Sequence, residues 1–370
     1  MSDTAGALDG LVIADFGRVL AGPYATMLLA DLGAEVVKIE RPGSGDDTRA
    51  WGPPYAGGQA TYFQAVNRNK SSLALDLRDA DDLAVARDLA VRADVVVENF
   101  LPGAMDRLGV GYDAVAAENP GVVYCSITGF GGHNQLPGYD LLVQAVGGLM
   151  SITGPSPDEP TKVGVALVDV ITGMHAAIGI LAALRHRDQT GQGQRVEVNL
   201  LSSLLSALTN QSAGYVGAGV VPHAMGNAHP SVVPYQPFPT ADRPLILAVG
   251  NDRQFGALVR ELGAPELADD PRFADNASRV AHRDVLIAEL TRLLSADTAD
   301  GWFPRFTAVG VPCGPVNDLG DAFALAEKLG LDPVAQIDDS VRTTTMPTVA
   351  NPIRLSATPP TYRTAPPDLS

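Results

Sequence analysis

The sequence predicts an α/β protein with a parallel, doubly wound sheet. Over the first 130 residues, short apolar runs of strand length alternate with segments of helical spacing. Most of these runs are apolar throughout, as expected for strands that helices cover on both faces. The segments between them are long enough for the crossover that joins two parallel strands.

The first three elements form one βαβ unit. Residues 11–16 are a short apolar run that predicts a strand, and residues 23–32 follow with helical spacing. Gly33 stands where a glycine often ends a helix. Residues 35–40 predict the next strand, so the two strands are expected to pair in parallel.

The same alternation continues along the chain. Residues 80–92 predict a helix, and residues 94–97 and 122–127 predict buried strands. A second, smaller α/β or α+β unit is expected after a segment rich in Gly and Pro at 214–239. Its predicted elements are a strand at 245–249 and helices at 252–262, 283–294 and 299–309.

The segment 163–184 has the length and composition of a membrane span and is followed by three basic residues. It contains Asp169, however, and an unpaired aspartate in lipid is costly. We therefore expect a buried strand end that runs into a core helix, and no contact with a membrane.

Composition limits the possible partners and the compartment. The 370 residues carry a net charge of −16, which argues against nucleic acid as a ligand. There are two cysteines and no CxxC motif, which is typical of a reducing cytosol. The polar N-terminus does not resemble a signal peptide. A cytoplasmic protein is predicted.

The familiar cofactor motifs are missing. Residues 15–22 follow the first strand and contain no GxGxxG, and the chain has no GxxxxGK[ST] loop, GxSxG elbow or HExxH. The six histidines are dispersed, with no spacing typical of a metal site. Chemistry by ordinary side chains, without a metal or cofactor, is favoured.

Asp169 is the charged residue with the most unusual surroundings. It lies in an apolar segment at the start of a predicted helix. One interpretation is a helix N-cap, which aspartate fills well. The other is a nucleophile, since a helix N-terminus helps to keep a carboxylate ionised. The residues alone favour the cap, and the two roles are compatible.

Basic residues are concentrated in the first third of the chain. They could form a socket for phosphate groups or be scattered surface charges, and spacing alone does not decide between the two. These residues are Lys38, Arg41, Arg49, Arg68, Lys70, Arg78 and Arg107.

Several ordered motifs resemble those of the family III (CaiB/BaiF-type) CoA-transferases. This group includes formyl-CoA transferase, carnitine CoA-transferase and α-methylacyl-CoA racemase. The similarity extends over nearly the whole chain. The matching segments are 8–16, 21–23, 29–42, 67–71, 97–103, 138–140, 190–194, 226–236 and 312–316.

The resemblance implies a Rossmann-like large domain with a smaller inserted domain. Residues 1–213 and 316–370 would form the large domain, and 214–315 the linker and the small domain. The family also implies an interlocked homodimer. CoA thioesters and small carboxylic acids would be the substrates, and no further cofactor is implied.

The resemblance also implies roles for individual residues. Asp169 would attack the carbonyl of the donor thioester and form a mixed anhydride. The released CoA thiolate would form an enzyme–CoA thioester or remain bound, and the acceptor carboxylate would then collect the activated group. Tyr139 and Asp140 of the Gly-Tyr-Asp motif are included among the binding positions. The other residues expected at the CoA site are Val19, Arg41, Leu75, Arg78, Asn99, Phe100 and Arg107.

Two alternatives remain open. A racemase of this family needs a histidine at the position that Tyr139 occupies here, and His133 is close in sequence but out of register. Transferase activity is therefore favoured over racemisation or epimerisation. A CoA-binding protein without catalytic activity is the other alternative.

Overall fold

The computed structural model describes residues 6–339 and 344–369, which form two compact units. The first unit comprises the chain up to residue 149, residues 162–221 and the chain from residue 331 onward. The second comprises residues 150–161 and 222–330. These limits differ from the boundaries 214 and 315 expected from sequence. Residues 214–221, expected in the linker and small domain, belong to the first unit, whereas residues 150–161 and 316–330, expected in the large domain, belong to the second.

The first unit carries most of the regular structure. Its elements up to residue 221 are β1 (Val12–Asp15), α1 (Ala21–Asp31), β2 (Glu35–Glu40), β3 (Tyr55–Ala56), β4 (Gln59–Ala60), α2 (Thr61–Gln64), β5 (Lys70–Ala74), α3 (Ala80–Arg92), β6 (Val95–Glu98), α4 (Ala104–Arg107), α5 (Tyr112–Glu118), β7 (Val123–Thr128), α6 (Asp140–Val146), α7 (Leu167–Thr190), β8 (Gln194–Asn199), α8 (Leu200–Ala207) and α9 (Thr209–Ala218).

The second unit follows, and the chain then returns to the first with a hairpin. The elements are β9 (Tyr235–Phe238), β10 (Leu245–Ala248), α10 (Asp252–Glu261), α11 (Asn276–Ala281), α12 (Arg283–Leu294), α13 (Ala299–Ala308), β11 (Cys313–Pro315), α14 (Leu319–Lys328), β12 (Val334–Asp339) and β13 (Thr344–Val349). Among the described residues, short 3-10 helices lie at Asp47–Ala50, Met150–Ile152 and Pro265–Ala268.

The central sheet has six strands in the order β5-β2-β1-β6-β7-β8, all of them parallel. Counted along the chain, this is the order 3-2-1-4-5-6 of doubly wound sheets. The predicted α/β class with a parallel sheet is thus confirmed. In this order the direction of winding reverses between β1 and β6, and ligands bind outside the carboxyl ends of the strands at such a point.

Alternation along the strands supplies a hydrophobic layer on each face of the sheet. On one face, Ala14, Val96 and Tyr124 pack in one buried cluster with residues of α3, α4 and α5. On the other, α1 and α7 pack closely against each other and against the strands. Gly173 of α7 permits this approach, because a Cβ there would lie 2.6 Å from the Ala21 carbonyl oxygen.

Helix α7 corrects the prediction for residues 163–184. No strand is present at 163–166, and Val165 is 55% exposed. An apolar run does not by itself distinguish strand from helix, which explains the error. By length and composition the helix could cross a membrane, but eight of its residues are buried within the protein. An exposed apolar stripe remains at Met174, Ile178 and Leu181.

The second unit is of the α+β type. Its antiparallel sheet has the order β11-β10-β9, and α10, α12 and α13 contribute to the same core. Arg279 is fully buried there, and its guanidinium donates to the carbonyl oxygens of Val233 and Phe273. Burial of a guanidinium is tolerated because it has these partners and the Asp252 carboxylate.

The C-terminal part of the first unit begins with a hairpin and continues as irregular chain. Residues up to Val349 pair with β12 in an antiparallel hairpin, and the irregular chain starts at Ala350. This chain is fastened to the first unit by hydrogen bonds such as those from Thr361 N to Asp31 O and from Arg49 Nη1 to Pro367 O.

Candidate active site

Two adjoining cavities open at the carboxyl ends of the central strands. The first has a volume of about 450 Å³ and lies beyond β1, β2 and β5. The second, of about 470 Å³, lies beyond β1, β6 and β7. Arg18 and Phe100 line both cavities. This is where a doubly wound sheet binds its ligands.

The structure brings most of the predicted site residues to these two cavities. Arg41, Leu75 and Arg78 line the first cavity, and Phe100 lines both. The predicted site residues that line the second cavity, besides Phe100, are Val19, Asn99, Arg107, Tyr139 and the predicted nucleophile Asp169. Asp140 lines neither cavity.

Asp169 lies in the first turn of α7 and is not its N-cap, so the cap interpretation is wrong. The capping position is Ala166, whose side chain makes no capping bond. The cap is supplied from another helix: Oδ2 of Asp140 accepts hydrogen bonds from the backbone N–H groups of Val168 (2.8 Å) and Asp169 (3.1 Å). Within the described chain, the Asp169 carboxylate itself has no hydrogen-bond partner.

The environment of Asp169 disfavours its charge. Burial, and secondly the negative charge of Asp140, raise its pKa to about 7. The expectation that the helix N-terminus keeps this group ionised is not met, because Asp140 already occupies the free N–H groups of that terminus. Near neutral pH the carboxylate is therefore poorly stabilised and unbonded, which suits a nucleophile.

Asp140 orients the start of α7 from α6. Its other oxygen, Oδ1, accepts a hydrogen bond from the side chain of Gln144. The Oε1 atom of Gln144 in turn accepts from Val163 N at 2.9 Å. We expected Asp140 among the residues that bind the ligand. In the structure, Asp140 instead fixes the start of the helix that carries Asp169.

Four of the seven basic residues form ion pairs inside the first unit instead of a ligand socket. Burying a charge is costly unless it is paired, and each of these has a carboxylate partner. The N–O distances are 2.9 Å for Lys38–Asp46, 3.1 Å for Lys70–Asp15, 2.6 Å for Arg68–Asp31 and 2.6 Å for Arg49–Glu40. Burial lowers the pKa of Lys70 to about 8, an effect that the Asp15 carboxylate opposes.

The other three basic residues are exposed around the cavities. Arg78 pairs with Asp76, two residues away. In the described part of the chain, the guanidinium groups of Arg41 and Arg107 have neither an ion-pair partner nor a hydrogen bond. Arginines of this kind remain available for a phosphate ligand. Of the seven basic residues, three are thus exposed where they could bind phosphate groups, and the other four form ion pairs within the first unit.

Arg18 is a site residue that sequence reasoning missed. It lines both cavities, and its Nη2 atom is 2.8 Å from Oδ2 of Asp47. Its position directly after β1, at the carboxyl end of a central strand, was the signal that could have identified it. The next residue, Val19, has a φ of +67°, which is unusual for a β-branched residue.

His133 lies in a third, smaller cavity of about 140 Å³, together with Glu98, Ser126 and Arg195. Tyr139 lines the cavity of Asp169, and none of the residues that line that cavity is a histidine. A proton-transfer pair of histidine and Asp169 is therefore not formed in the described structure.

Comparison with known proteins gives the family. The model of CoA-transferase family III matches residues 8–370. Succinyl-CoA:glutarate CoA-transferase of Mus musculus is 43% identical, over 88% of this chain and 76% of its own length. Succinate–glutarate CoA-transferase of Agrobacterium fabrum is 42% identical, over 98% of this chain and 92% of its own length.

A solved structure supports the same assignment over the whole chain. The crystal structure of a CaiB/BaiF family protein from Brucella suis has a TM-score of 0.85 and 40% sequence identity. The match covers 99% of this chain and 97% of that one. The parallel sheet, the two cavities beyond its strands and these similarities lead to one conclusion: the chain belongs to CoA-transferase family III.

Proposed function

We propose that this CoA-transferase moves CoA from a dicarboxylyl-CoA thioester to a second small dicarboxylic acid, with Asp169 as the nucleophile. The observation that carries the proposal is the Asp169 carboxylate, which faces the second cavity and has no hydrogen-bond partner among the described residues. The substrate class is supported by relatives named for succinyl-CoA and glutarate.

The proposed reaction is balanced without a metal or a prosthetic group. An oxygen of Asp169 attacks the thioester carbonyl carbon, the C–S bond breaks, and CoA leaves as a thiolate. The thiolate then attacks the Asp169 carbonyl of the anhydride, which releases the donor acid as its carboxylate. The acceptor carboxylate attacks the carbonyl carbon of the resulting aspartyl thioester, whose C–S bond breaks, so that CoA thiolate is released and a second mixed anhydride forms. The thiolate then attacks the acyl carbon of the acceptor in this anhydride, and Asp169 leaves as a carboxylate.

The two cavities suggest how CoA would lie. Its phosphates would be bound at the first cavity, where Arg41 and Arg78 are exposed, and its pantetheine arm would pass Phe100 into the second cavity. Arg107 offers a further cation there. The thioester would then reach Asp169 beyond β1 and β6.

Racemisation and simple binding are the competing functions. Racemisation needs an acid and a base on opposite faces of the α-carbon. The second cavity offers Asp169 and the exposed Tyr139, and no histidine among its lining residues. A protein that only binds CoA has no need of an unbonded buried carboxylate, which is costly to keep.

We also propose the homodimer that the family resemblance implies. The support comes from α7, where Met174, Ile178 and Leu181 follow one another at helical spacing and stay exposed. Exposed apolar stripes of this kind are typical of contact surfaces.

The covalent route is tested by mass spectrometry after incubation with a panel of acyl-CoA donors in hydroxylamine. Hydroxylamine converts an activated aspartyl carbonyl to a hydroxamate, so we expect one hydroxamate at Asp169. The Asp169→Asn variant should be inactive and unlabelled. Asp188→Asn changes an exposed aspartate in the last turns of the same helix and should leave labelling and turnover intact.

Turnover without any adduct at Asp169 would refute the covalent route. Exchange of deuterium into the α-carbon of a 2-methylacyl-CoA, in the absence of an acceptor acid, would instead support a racemase. Binding of CoA without turnover for any pair of donor and acceptor acids would support the non-catalytic alternative.

A further inference from the structure

We infer that Asn99 is a positioning residue whose side chain fixes the turn Arg18–Val19 in the shape that CoA binding requires. The inference rests on the proposed placement of CoA in the two cavities. It differs from the family expectation, in which Asn99 is simply one of the residues lining the CoA site.

The side-chain amide of Asn99 is engaged with the backbone of Arg18. Oδ1 of Asn99 accepts a hydrogen bond from Arg18 N at 2.9 Å, and Nδ2 donates one to Arg18 O at 2.8 Å. This reciprocal pair joins the ends of β1 and β6 just beyond the last ladder bond, from Phe16 N to Val97 O. Asparagine supplies both the donor and the acceptor that this pair needs.

Side chains hold the neighbouring backbone groups as well. Gly17 N donates to Oδ1 of Asp15 at 2.8 Å, and Gly17 O accepts from Nζ of Lys38 at 2.7 Å. Val19 N donates to the Asp46 carboxylate at 3.2 Å. Every backbone N–H and C=O group from Gly17 N to Val19 N is thus bonded to a side chain, although the segment belongs to no helix or strand.

The conformation that results is a strained one. Val19 has a φ of +67°, in the left-handed region that β-branched residues avoid. Such a residue persists only where its surroundings enforce it, and enforced strain is concentrated at functional sites. Val19 packs against the same buried cluster, formed by Leu20, Met27, Leu28 and Val66, as Val170, the residue that follows Asp169 in α7.

The turn lies where its shape affects the ligand. Arg18 lines both cavities and Val19 lines the second, between strands β1 and β6 where the winding of the sheet reverses. A turn that is already fixed in the free protein does not have to be ordered on binding, which favours affinity. Loss of the two hydrogen bonds between the Asn99 side chain and the Arg18 backbone should therefore weaken CoA binding, because the turn is no longer fixed.

The test compares Asn99→Ala with Asn119→Ala. Asn119 is also half-buried and makes side-chain hydrogen bonds to the backbone, to the carbonyl oxygens of Val91 and Ala93 and from Gly121 N. It precedes β7 and so lies at the amino end of the sheet, away from the cavities. Two quantities are measured in the full chain: the dissociation constant of CoA by calorimetry, and amide hydrogen exchange of residues 16–22.

For Asn99→Ala we expect CoA to bind about tenfold more weakly, and residues 16–22 to exchange faster in the free protein. Saturating CoA should slow that exchange again. The KM for the acyl-CoA donor should rise while kcat stays within about threefold, since uniform binding is lost. Asn119→Ala should lose about as much thermal stability as Asn99→Ala. Its dissociation constant for CoA and its exchange at residues 16–22 should stay unchanged.

Weaker CoA binding with unaltered exchange at 16–22 would overturn the inference in favour of direct contact. Faster exchange with unaltered CoA binding would show that Asn99 stabilises the turn without any effect on CoA, and it would overturn the inference too. If Asn99→Ala does not fold, Asn99→Asp keeps the acceptor for Arg18 N and loses the donor to Arg18 O. Wild-type protein that binds no CoA would refute the proposed CoA site, and with it this inference, even if exchange in the variant is faster.

Discussion

Asp169 combines two features that are costly for the fold. Its carboxylate is partly buried without a hydrogen bond, and the carboxylate of Asp140 lies nearby. Asp140 caps α7, so the residue that positions the nucleophile also raises the pKa of Asp169. Sites of this kind gain reactivity at the expense of stability.

Replacement of Asp169 by Asn should therefore stabilise the protein, increasingly so as the pH rises. The folded-state pKa of about 7 lies above the ordinary aspartate pKa of 3.8 in the unfolded chain, so the folded protein binds more protons between these values. Its stability then falls as the pH increases through this window. Asn removes the charge, and we expect a gain on the order of 2–4 kcal/mol at pH 8.

Urea unfolding of both proteins at pH 5.5 and pH 8 measures this effect. The gain at pH 5.5 should be smaller by about 2 kcal/mol, because wild-type Asp169 is then mostly protonated. A gain of equal size at both pH values, or a loss at pH 8, would contradict the buried and unpartnered carboxylate.

At the scale of elements, charges divide into those that hold strands together and those that remain free. Lys38 on β2 and Lys70 on β5 are fully buried. Lys38 pairs with Asp46 in the loop after β2, and Lys70 pairs with Asp15 on β1. These pairs fix the segments that line the first cavity. Arg41 directly follows β2 and Arg78 follows β5, at exposed positions where a ligand could reach them.

Arg41→Ala should weaken binding of the phosphate-bearing part of the donor. We expect its KM for an acyl-CoA to rise about tenfold, in line with loss of one charge-assisted contact. The KM for the corresponding acyl-pantetheine, which lacks the nucleotide, should not change. Steady-state kinetics with the two donors measure the difference.

Arg87→Ala is the matched control, since Arg87 is an exposed arginine of α3 paired with Glu118, outside both cavities. This substitution should leave the KM for the acyl-CoA and the KM for the acyl-pantetheine unchanged. An equal rise of KM for both donors in Arg41→Ala would place Arg41 away from the phosphates and contradict the proposed orientation of CoA.

At the scale of the molecule, the exposed face of α7 is the feature that a single chain does not explain. Eight residues of the helix are buried, while Ile178 is 63% exposed near the middle of the helix. An apolar residue so exposed on a core helix is well placed for a subunit contact. Because α7 also carries Asp169, association would affect the site through the same helix.

We expect the wild-type protein to sediment as a dimer at micromolar concentration and Ile178→Asp to shift the population towards monomer. A charge in an apolar interface remains unpaired and disfavours association. Val85→Asp is the control, since Val85 is a similarly exposed apolar residue on α3. Wild-type protein that sediments as a monomer would refute the homodimer proposal.

Local pattern was sufficient for much of the fold. The structure reproduces the predicted bounds of β2, α3 and α12, because each is a regular run between clear end signals. Strand β5 was missed because its sequence, KSSLA, has little apolar pattern. It is held instead by parallel pairing with β2 and by the ion pair of Lys70, which are contacts between distant parts of the chain.

The site, like the fold, was predictable from local sequence pattern only in part. The sequence by itself determined the α/β class, the family resemblance and the candidate residues, since these depend on local pattern and ordered motifs. Only the tertiary structure decided that Asp140 caps α7, that four basic residues are internal ion pairs and that Asn99 clasps Arg18. Partner, burial and charge environment arise between residues far apart in the chain, and spacing along a sequence does not encode them.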